Sequence, residues 1–193
     1  MKTKFISAMA ASLALLSFSS CESSSKLAND LQGSWSGAPE KLIDNEVAPS
    51  SYMPVLTFVK TDATKGDVTI TAAISMSDAN GNTTLSASGQ STISGTWTAT
   101  DDDEIYLNLD PSTLNVSVDP DGVVMSSTGV LYGTPEVTTD SLKASMIPAI
   151  KTRMTSAIQH HMLNITKIDD IKIKNGIMTC EINDKDLSFH AIE

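Results

Sequence analysis

The stretch "DVTITAAISMSD", residues 67–78, decides the fold class of this 193-residue chain. Hydroxyl-bearing and small residues alternate in it with apolar residues, which are Val68, Ile70, Ala72, Ile74 and Met76. Successive side chains of a β-strand point to opposite faces, so this alternation is typical of a strand with one buried face. The stretch therefore predicts an antiparallel strand with a solvent-facing side.

The chain then turns back on itself. Asn80-Gly81 supplies the residue types that accept the positive φ angles of a tight hairpin turn. The apolar residues that follow keep one parity: Leu85, Ala87, Ile93, Trp97 and Ala99. Gly89 and Gly95 share this parity, where a long strand can bend. The region predicts one long β-hairpin.

Further segments also alternate. They are "EIYLNLD" (104–110), "TLNVSVD" (113–119), "GVVMSS" (122–127) and short stretches near 34–37 and 53–60. Residues 169–192 hold two turns between three more strands. Eight to ten short strands in hairpin order predict a mainly β protein, an antiparallel meander that closes into a barrel and so removes its edges. A two-sheet sandwich is the alternative.

One segment has a different period. Between about residues 140 and 163, apolar residues recur at steps of four: Leu142, Met146, Ile150, Met154, Ile158 and Met162. This spacing predicts an amphipathic helix inserted before the last three strands, with its methionines packed on the barrel. Pro148 lies inside the run and predicts a kink, or a helix that starts near that residue.

The N-terminal residues resemble a lipoprotein signal. Lys2 and Lys4 precede a short apolar run, too short for a permanent membrane helix, and small residues follow. The sequence 18–21, Phe-Ser-Ser-Cys, resembles a bacterial lipobox. The resemblance implies a signal peptide over 1–20, a Cys21 modified with diacylglycerol and an acyl chain such as palmitate, a flexible tether over 21–30 and one domain over 31–193.

That resemblance also implies a location. Glu22 stands where Gram-negative lipoproteins kept in the inner membrane carry Asp, so the expectation is the outer membrane, in either the periplasmic or the surface leaflet. Residues 21–193 hold 11 basic and 23 acidic side chains, a net charge of −12. Such a surface disfavours nucleic acid and peripheral attachment to anionic lipid. The expected membrane link is therefore the covalent lipid.

Two similar segments, "LQGSWSG" (31–37) and "ISGTWTA" (93–99), carry a second resemblance. Gly33-Ser34-Trp35 resembles the G-x-W signature that opens the first strand of lipocalin-like barrels. Residues 94–110 resemble the mid-barrel hairpin of small bacterial lipocalin-like lipoproteins. The resemblance implies a barrel with Gly33 and Trp35 at one end. Classical lipocalins lay an arginine over this tryptophan, whereas the only arginine here is Arg153, within the predicted helix.

No motif indicates catalysis, a cofactor or a metal. The acidic run 101–104 lacks the ligand spacing of a calcium loop and predicts a solvated hairpin tip. His160 and His161 diverge by about 100° on a helix, so they cannot share a metal ion. Cys180, set among apolar neighbours, predicts a buried structural thiol. Asp140-Ser141-Leu142 resembles a bacterial O-glycosylation acceptor, which implies Ser141 as the modified residue.

Small inward residues leave volume inside a barrel, and this volume must be filled by side chains, water or a ligand. A hollow barrel would offer a small apolar or amphipathic ligand the lining Ile70, Ile74, Met76, Leu85, Ile93 and Trp97. The sequence thus predicts a non-enzymatic lipoprotein that binds such a ligand. The alternative is a filled barrel with a structural or protein-interaction role, for which the sequence names no partner.

Overall fold

The computed structural model describes residues 22–43, 50–80, 83–127 and 139–192. Within these ranges two α-helices, α1 (described over 22–30) and α2 (Thr139–Met162), accompany eleven strands. The strands are β1 (Gly33–Gly37), β2 (Glu40–Ile43), β3 (Ser50–Lys60), β4 (Lys65–Asn80), β5 (Thr83–Ala99), β6 (Ile105–Leu109), β7 (Asn115–Val118), β8 (Val124–Ser127), β9 (Lys167–Lys174), β10 (Ile177–Ile182) and β11 (Lys185–Ile192).

Eight of these strands form a closed antiparallel barrel in the order β1-β11-β10-β9-β6-β5-β4-β3. The first strand closes it, because Trp35 of β1 lies opposite Ala191 of β11 on one side and Leu56 of β3 on the other. The barrel prediction is confirmed, and the two-sheet sandwich is excluded. The predicted helix is also confirmed, since α2 precedes the last three strands.

The alternation of buried and exposed side chains predicted for residues 67–78 is present in β4. The inward residues of β4 from Val68 to Ile74 are almost fully buried, while Thr71 between them is exposed. Asn80 pairs with Thr83, so residues 81 and 82, which lie outside the described part of the chain, connect β4 to β5. Burying every second residue of the long hairpin supplies one wall of the barrel core.

Strands β4 and β5 extend well past β6. Short strands β6, β7 and β8 follow one another along the edge of β5 that does not pair with β4. Leu109 lies opposite Gly95, Val118 opposite Gly89 and Met125 opposite Leu85. The long hairpin therefore has an anchor half near β6 and a far half near β8. This far half is where α2 packs.

Helix α2 contacts both β7 and β2, and so it lies across the inner surface of the far half. Its buried residues are Ile150, Met154, Ile158 and Met162, spaced as the stripe predicts. A β-carbon at position 89 would lie 3.1 Å from the Met154 sulfur, so the missing side chain of Gly89 makes room for that methionine. Pro148 is inside the helix, which runs on through it.

Residues 22–30 correct the expectation of a flexible tether, because they form α1. Ser24, Leu27, Ala28 and Leu31 fall on one helical face and are buried. The helix packs on the barrel end made by β3 and β1: Lys60 donates to the side-chain carbonyl of Asn29 at 2.5 Å. The serines at 23–25 made this short apolar stripe hard to recognise in the sequence.

Candidate functional site

The six predicted lining residues are split between two environments. Ile70, Ile74, Ile93 and Trp97 are 1–2% exposed and belong to the packed core. Met76 and Leu85 are partly buried and line a cleft in the far half. A void of about 40 Å³ lies beside the C-terminal end of α2, and Ile70 also borders it. Such a void fits one or two waters, so it does not accommodate an organic ligand.

The cleft between α2 and the far ends of β4 and β5 has a volume of about 310 Å³. We call it the helix cleft, and its walls are Met76, Asp78, Leu85, Ser145, Met146, Ala149, Ile150 and Arg153. Apolar side chains from both elements make most of its surface. Polar groups come from the end of β4 and from one side of α2, as is usual where a few polar groups orient a ligand.

One ion pair bridges the cleft walls. Nη1 of Arg153 on α2 donates to Oδ2 of Asp78 on β4 at 2.5 Å. Both side chains are well exposed, 38% and 40%, so the pair adds at most about 1 kcal/mol to stability. An ion pair this weak can exchange partners with a charged group that enters the cleft.

Comparison of the chain with models of protein families, with curated proteins and with solved structures gave no match. The architecture itself supports a fold-level statement. The eight-stranded antiparallel barrel is consistent with a lipocalin-like fold.

The two residues of the G-x-W segment lie at the start of β1. Gly33 has a φ of +119°, a backbone conformation that favours glycine. Trp35 is buried, and its indole Nε1 donates to the carbonyl of Leu31 at 2.8 Å, which ties β1 to the end of α1. The chain's only arginine is engaged far away, with Asp78, so it does not cover this tryptophan.

A partly buried polar cluster holds the C-terminal end of α2 against the barrel. The Tyr52 hydroxyl donates to Oε1 of Glu40 at 3.2 Å and is hydrogen-bonded to Nε2 of His161. The Tyr52 and His161 rings meet edge to face, with centroids 4.5 Å apart. Burial, followed by the charge of Glu40, raises the pKa of Tyr52 well above its ordinary value. The cluster joins α2 to β2 and β3.

We expect His161 to make the fold sensitive to mild acid. Burial chiefly, with Lys185 and His160 adding repulsion, lowers the pKa of His161 below its ordinary 6.5. The unfolded chain therefore binds this proton first, and stability falls as the pH drops from about 6.5 towards the lowered pKa. Urea unfolding of residues 22–193 should show a small decrease in the free energy of unfolding between about pH 7.5 and pH 5. This decrease should be absent in His161→Gln.

Carboxyl groups with lowered pKa values, such as Glu104 and Asp169 beside Lys167, also contribute to stability. They lose this contribution only below the pH range in which His161 titrates. His190→Gln is the matched control, because His190 is exposed and is not among the groups that shift the His161 pKa. An equal pH slope in His161→Gln and the unmodified protein would contradict the assignment to His161.

The other candidate residues named from the sequence do not come together in one site. His160, His190 and Ser141 are exposed, whereas Cys180 is buried as a free thiol. Within the described ranges, no group of three or more His, Cys, Asp or Glu is placed to hold a metal ion. The described helices include none that is long and apolar enough to cross a membrane. Cys21 and the signal segment 1–20 lie outside the described residues.

Sequence reasoning missed most of the helix cleft, including Asp78, Ser145, Ala149 and Arg153. Two signals were present: Arg153 is the only arginine of the chain, and Met146 with Ile150 belongs to the step-of-four stripe. Neither signal shows that β4 supplies the opposite wall, because the two walls are 75 residues apart at their ion pair.

Proposed function

We propose that this protein is a membrane-anchored, lipocalin-like lipoprotein that binds a small apolar or amphipathic ligand and catalyses no reaction. The observation that carries the proposal is the helix cleft, about 310 Å³ in volume, between α2 and the long hairpin. Ligand pockets in proteins have volumes of roughly 300–1,000 Å³, so the helix cleft suits a small ligand. The proposed site lies beside the packed barrel interior.

The side chains of the helix cleft favour an amphipathic ligand. Met146, Ile150 and Leu85 offer apolar contact, and methionine adapts its shape to different ligands. At one side the Arg153 guanidinium uses Nη1 for Asp78 and carries further N–H donors. Those donors have the planar geometry that binds a carboxylate through two hydrogen bonds. Fatty acids of graded chain length are therefore the first probes.

The proposed attachment rests on the N-terminal sequence. Phe18-Ser19-Ser20-Cys21 supports diacylation of Cys21, and Glu22 supports the outer membrane of a Gram-negative cell. With three acyl chains, each buried methylene adds about 0.8 kcal/mol, so attachment would be stable without a membrane helix.

Filling the helix cleft should abolish binding. Ala149 lies in the wall and is exposed, so Ala149→Trp places an indole in the cleft and should leave the fold intact. At a fatty acid concentration about 100 times the Kd, we expect the unmodified domain (22–193) to melt roughly 5–10 °C higher. Ala149→Trp should lose this shift. Thermal unfolding with each fatty acid measures the shift in melting temperature. Mass spectrometry detects any lipid that co-purifies.

Thr152→Trp is the matched control, because Thr152 is exposed on α2 one turn later and is not part of the cleft wall. It should keep the full shift. If Ala149→Trp keeps the shift as well, the ligand binds elsewhere. If no fatty acid raises the melting temperature and no apolar compound co-purifies, ligand binding is refuted.

The second candidate is a structural or protein-interaction lipoprotein with a filled barrel. The packed barrel interior favours it, together with three exposed apolar side chains of the far half: Val124 and Met125 of β8 and Leu142 of α2. Failure of every ligand probe, with a folded domain, would favour this candidate.

A further inference from the structure

Helix α1 holds residues 22–30, which directly follow Cys21 in the sequence, against the barrel. Its described part, residues 22–30, is held by buried Leu27 and Ala28 and by the hydrogen bond from Lys60 to Asn29. The nine described residues of α1 extend only about 14 Å. An acyl group on Cys21, as the proposed function has it, would therefore keep the barrel close to the bilayer. The end of the barrel nearest α1 is the end where β3 finishes and β1 starts.

The same end carries an unusual outer surface on β9, β10 and β11. Ile177 lies opposite Lys174 of β9 and opposite His190 of β11, and Ile192 lies opposite Ser34 at the start of β1. Ile177 is 39% exposed and Ile192 is 48% exposed. We call this surface the anchor-end face; it consists of Lys172, Lys174, Ile177, Thr179, His190 and Ile192, all exposed.

Charge separates the anchor-end face from the rest of these strands. The carboxylates of β10 and β11 gather at the opposite end, where Glu181 lies opposite both Asp186 and Asp169. The face itself joins two lysines and a histidine to two isoleucines. In a chain whose residues 21–193 have a net charge of −12, the face is locally positive, although the acidic hairpin 101–104 borders it at β9, where the Ile171 N–H donates to the carbonyl of Asp103. Exposed apolar side chains beside lysines are typical of surfaces that rest on anionic lipid.

We propose that the anchor-end face lies against the bilayer surface and fixes the orientation of the anchored barrel. This proposal rests on lipidation of Cys21, which brings the face to the membrane. Ile177 and Ile192 then contact the boundary between headgroups and acyl chains, while Lys172 and Lys174 contact lipid phosphates. Covalent attachment supplies the affinity, and the face supplies the orientation.

The test uses the full-length acylated protein in vesicles of phosphatidylethanolamine and phosphatidylglycerol. An environment-sensitive fluorophore is attached through Thr179→Cys on β10 or, as the control, through Thr71→Cys on β4, four strands around the barrel. Both positions are exposed, and burial raises the pKa of the Cys180 thiol to about 12, so that thiol stays unlabelled at neutral pH. Lipids with a spin label on the headgroup quench fluorophores near the surface.

We expect quenching at position 179 to be several-fold stronger than at position 71. Adding Ile177→Asp and Lys174→Glu to the labelled protein should reduce this difference without detaching the protein from the vesicles. Equal quenching at the two positions, in protein that floats with the vesicles, would refute the orientation and leave the anchor standing. Protein that does not float, and that carries no acyl group by mass spectrometry, would refute the anchor and the orientation together.

Discussion

Trp97→Ala should destabilise the barrel by about 3–5 kcal/mol, the usual cost of removing a large aromatic side chain from a core. Trp97 is 1% exposed, contacts the Phe58 ring edge to face at 6.0 Å and donates from Nε1 to the carbonyl of Asp67. Its ring also occupies the space above Gly66, where a β-carbon would lie 2.6 Å from the indole nitrogen. Urea unfolding of residues 22–193, with melting about 10 °C lower, measures the effect.

Tyr106→Ala is the matched control for this change. Tyr106 lies on β6 next to Thr98 of β5, but it points outward and is 48% exposed. Its replacement should change the free energy of unfolding by less than about 1 kcal/mol. Equal losses in the two variants would contradict an inward Trp97, and with it the alternation on which the barrel is built.

Cys21→Ala should remove the lipid completely. We expect metabolic labelling with an alkyne analogue of palmitate to mark the unmodified protein and to fall to background in this variant. The reason is chemical, because alanine has no sulfur to form the thioether to diacylglycerol. A Cys21→Ala protein exported with a cleavable secretory signal in place of residues 1–20 should appear in the soluble fraction.

Cys180→Ala controls for loss of a thiol as such. Cys180 is buried in the barrel and should not be acylated, so this variant should keep the full palmitate label and its membrane association. A label that persists in Cys21→Ala, or a soluble Cys180→Ala, would contradict attachment through Cys21.

The architecture was predictable because its rules are local. Alternation along β4 places Val68, Ile70 and Ile74 inside wherever the strand lies, and steps of four place Met154 and Ile158 on one face of α2. Turn chemistry between these elements leaves few topologies. A meander of this length closes because closure removes the unpaired edges.

The site was less predictable because it depends on contacts between distant segments. Small residues such as Gly89 and Ala87 suggested a hollow interior, yet the Met154 sulfur of α2 fills the space beside Gly89. The sequence gives no rule for how far along the long hairpin α2 will pack, and this position alone determines that Asp78 meets Arg153. Helix α1 escaped notice because only Leu27, Ala28 and Leu31 carry its apolar face.

The length of β4 has a consequence for the route by which a ligand arrives. Lys65, near the anchor, and Asp78, in the helix cleft, are separated by about 40 Å of strand, or about 30 Å of height once the tilt of barrel strands is included. With Cys21 held in the bilayer as proposed, the opening would stand beyond the lipid headgroups. A ligand of the proposed site would then have to cross water or be handed over by a soluble carrier, which would favour short amphiphiles with appreciable solubility over long-chain lipids.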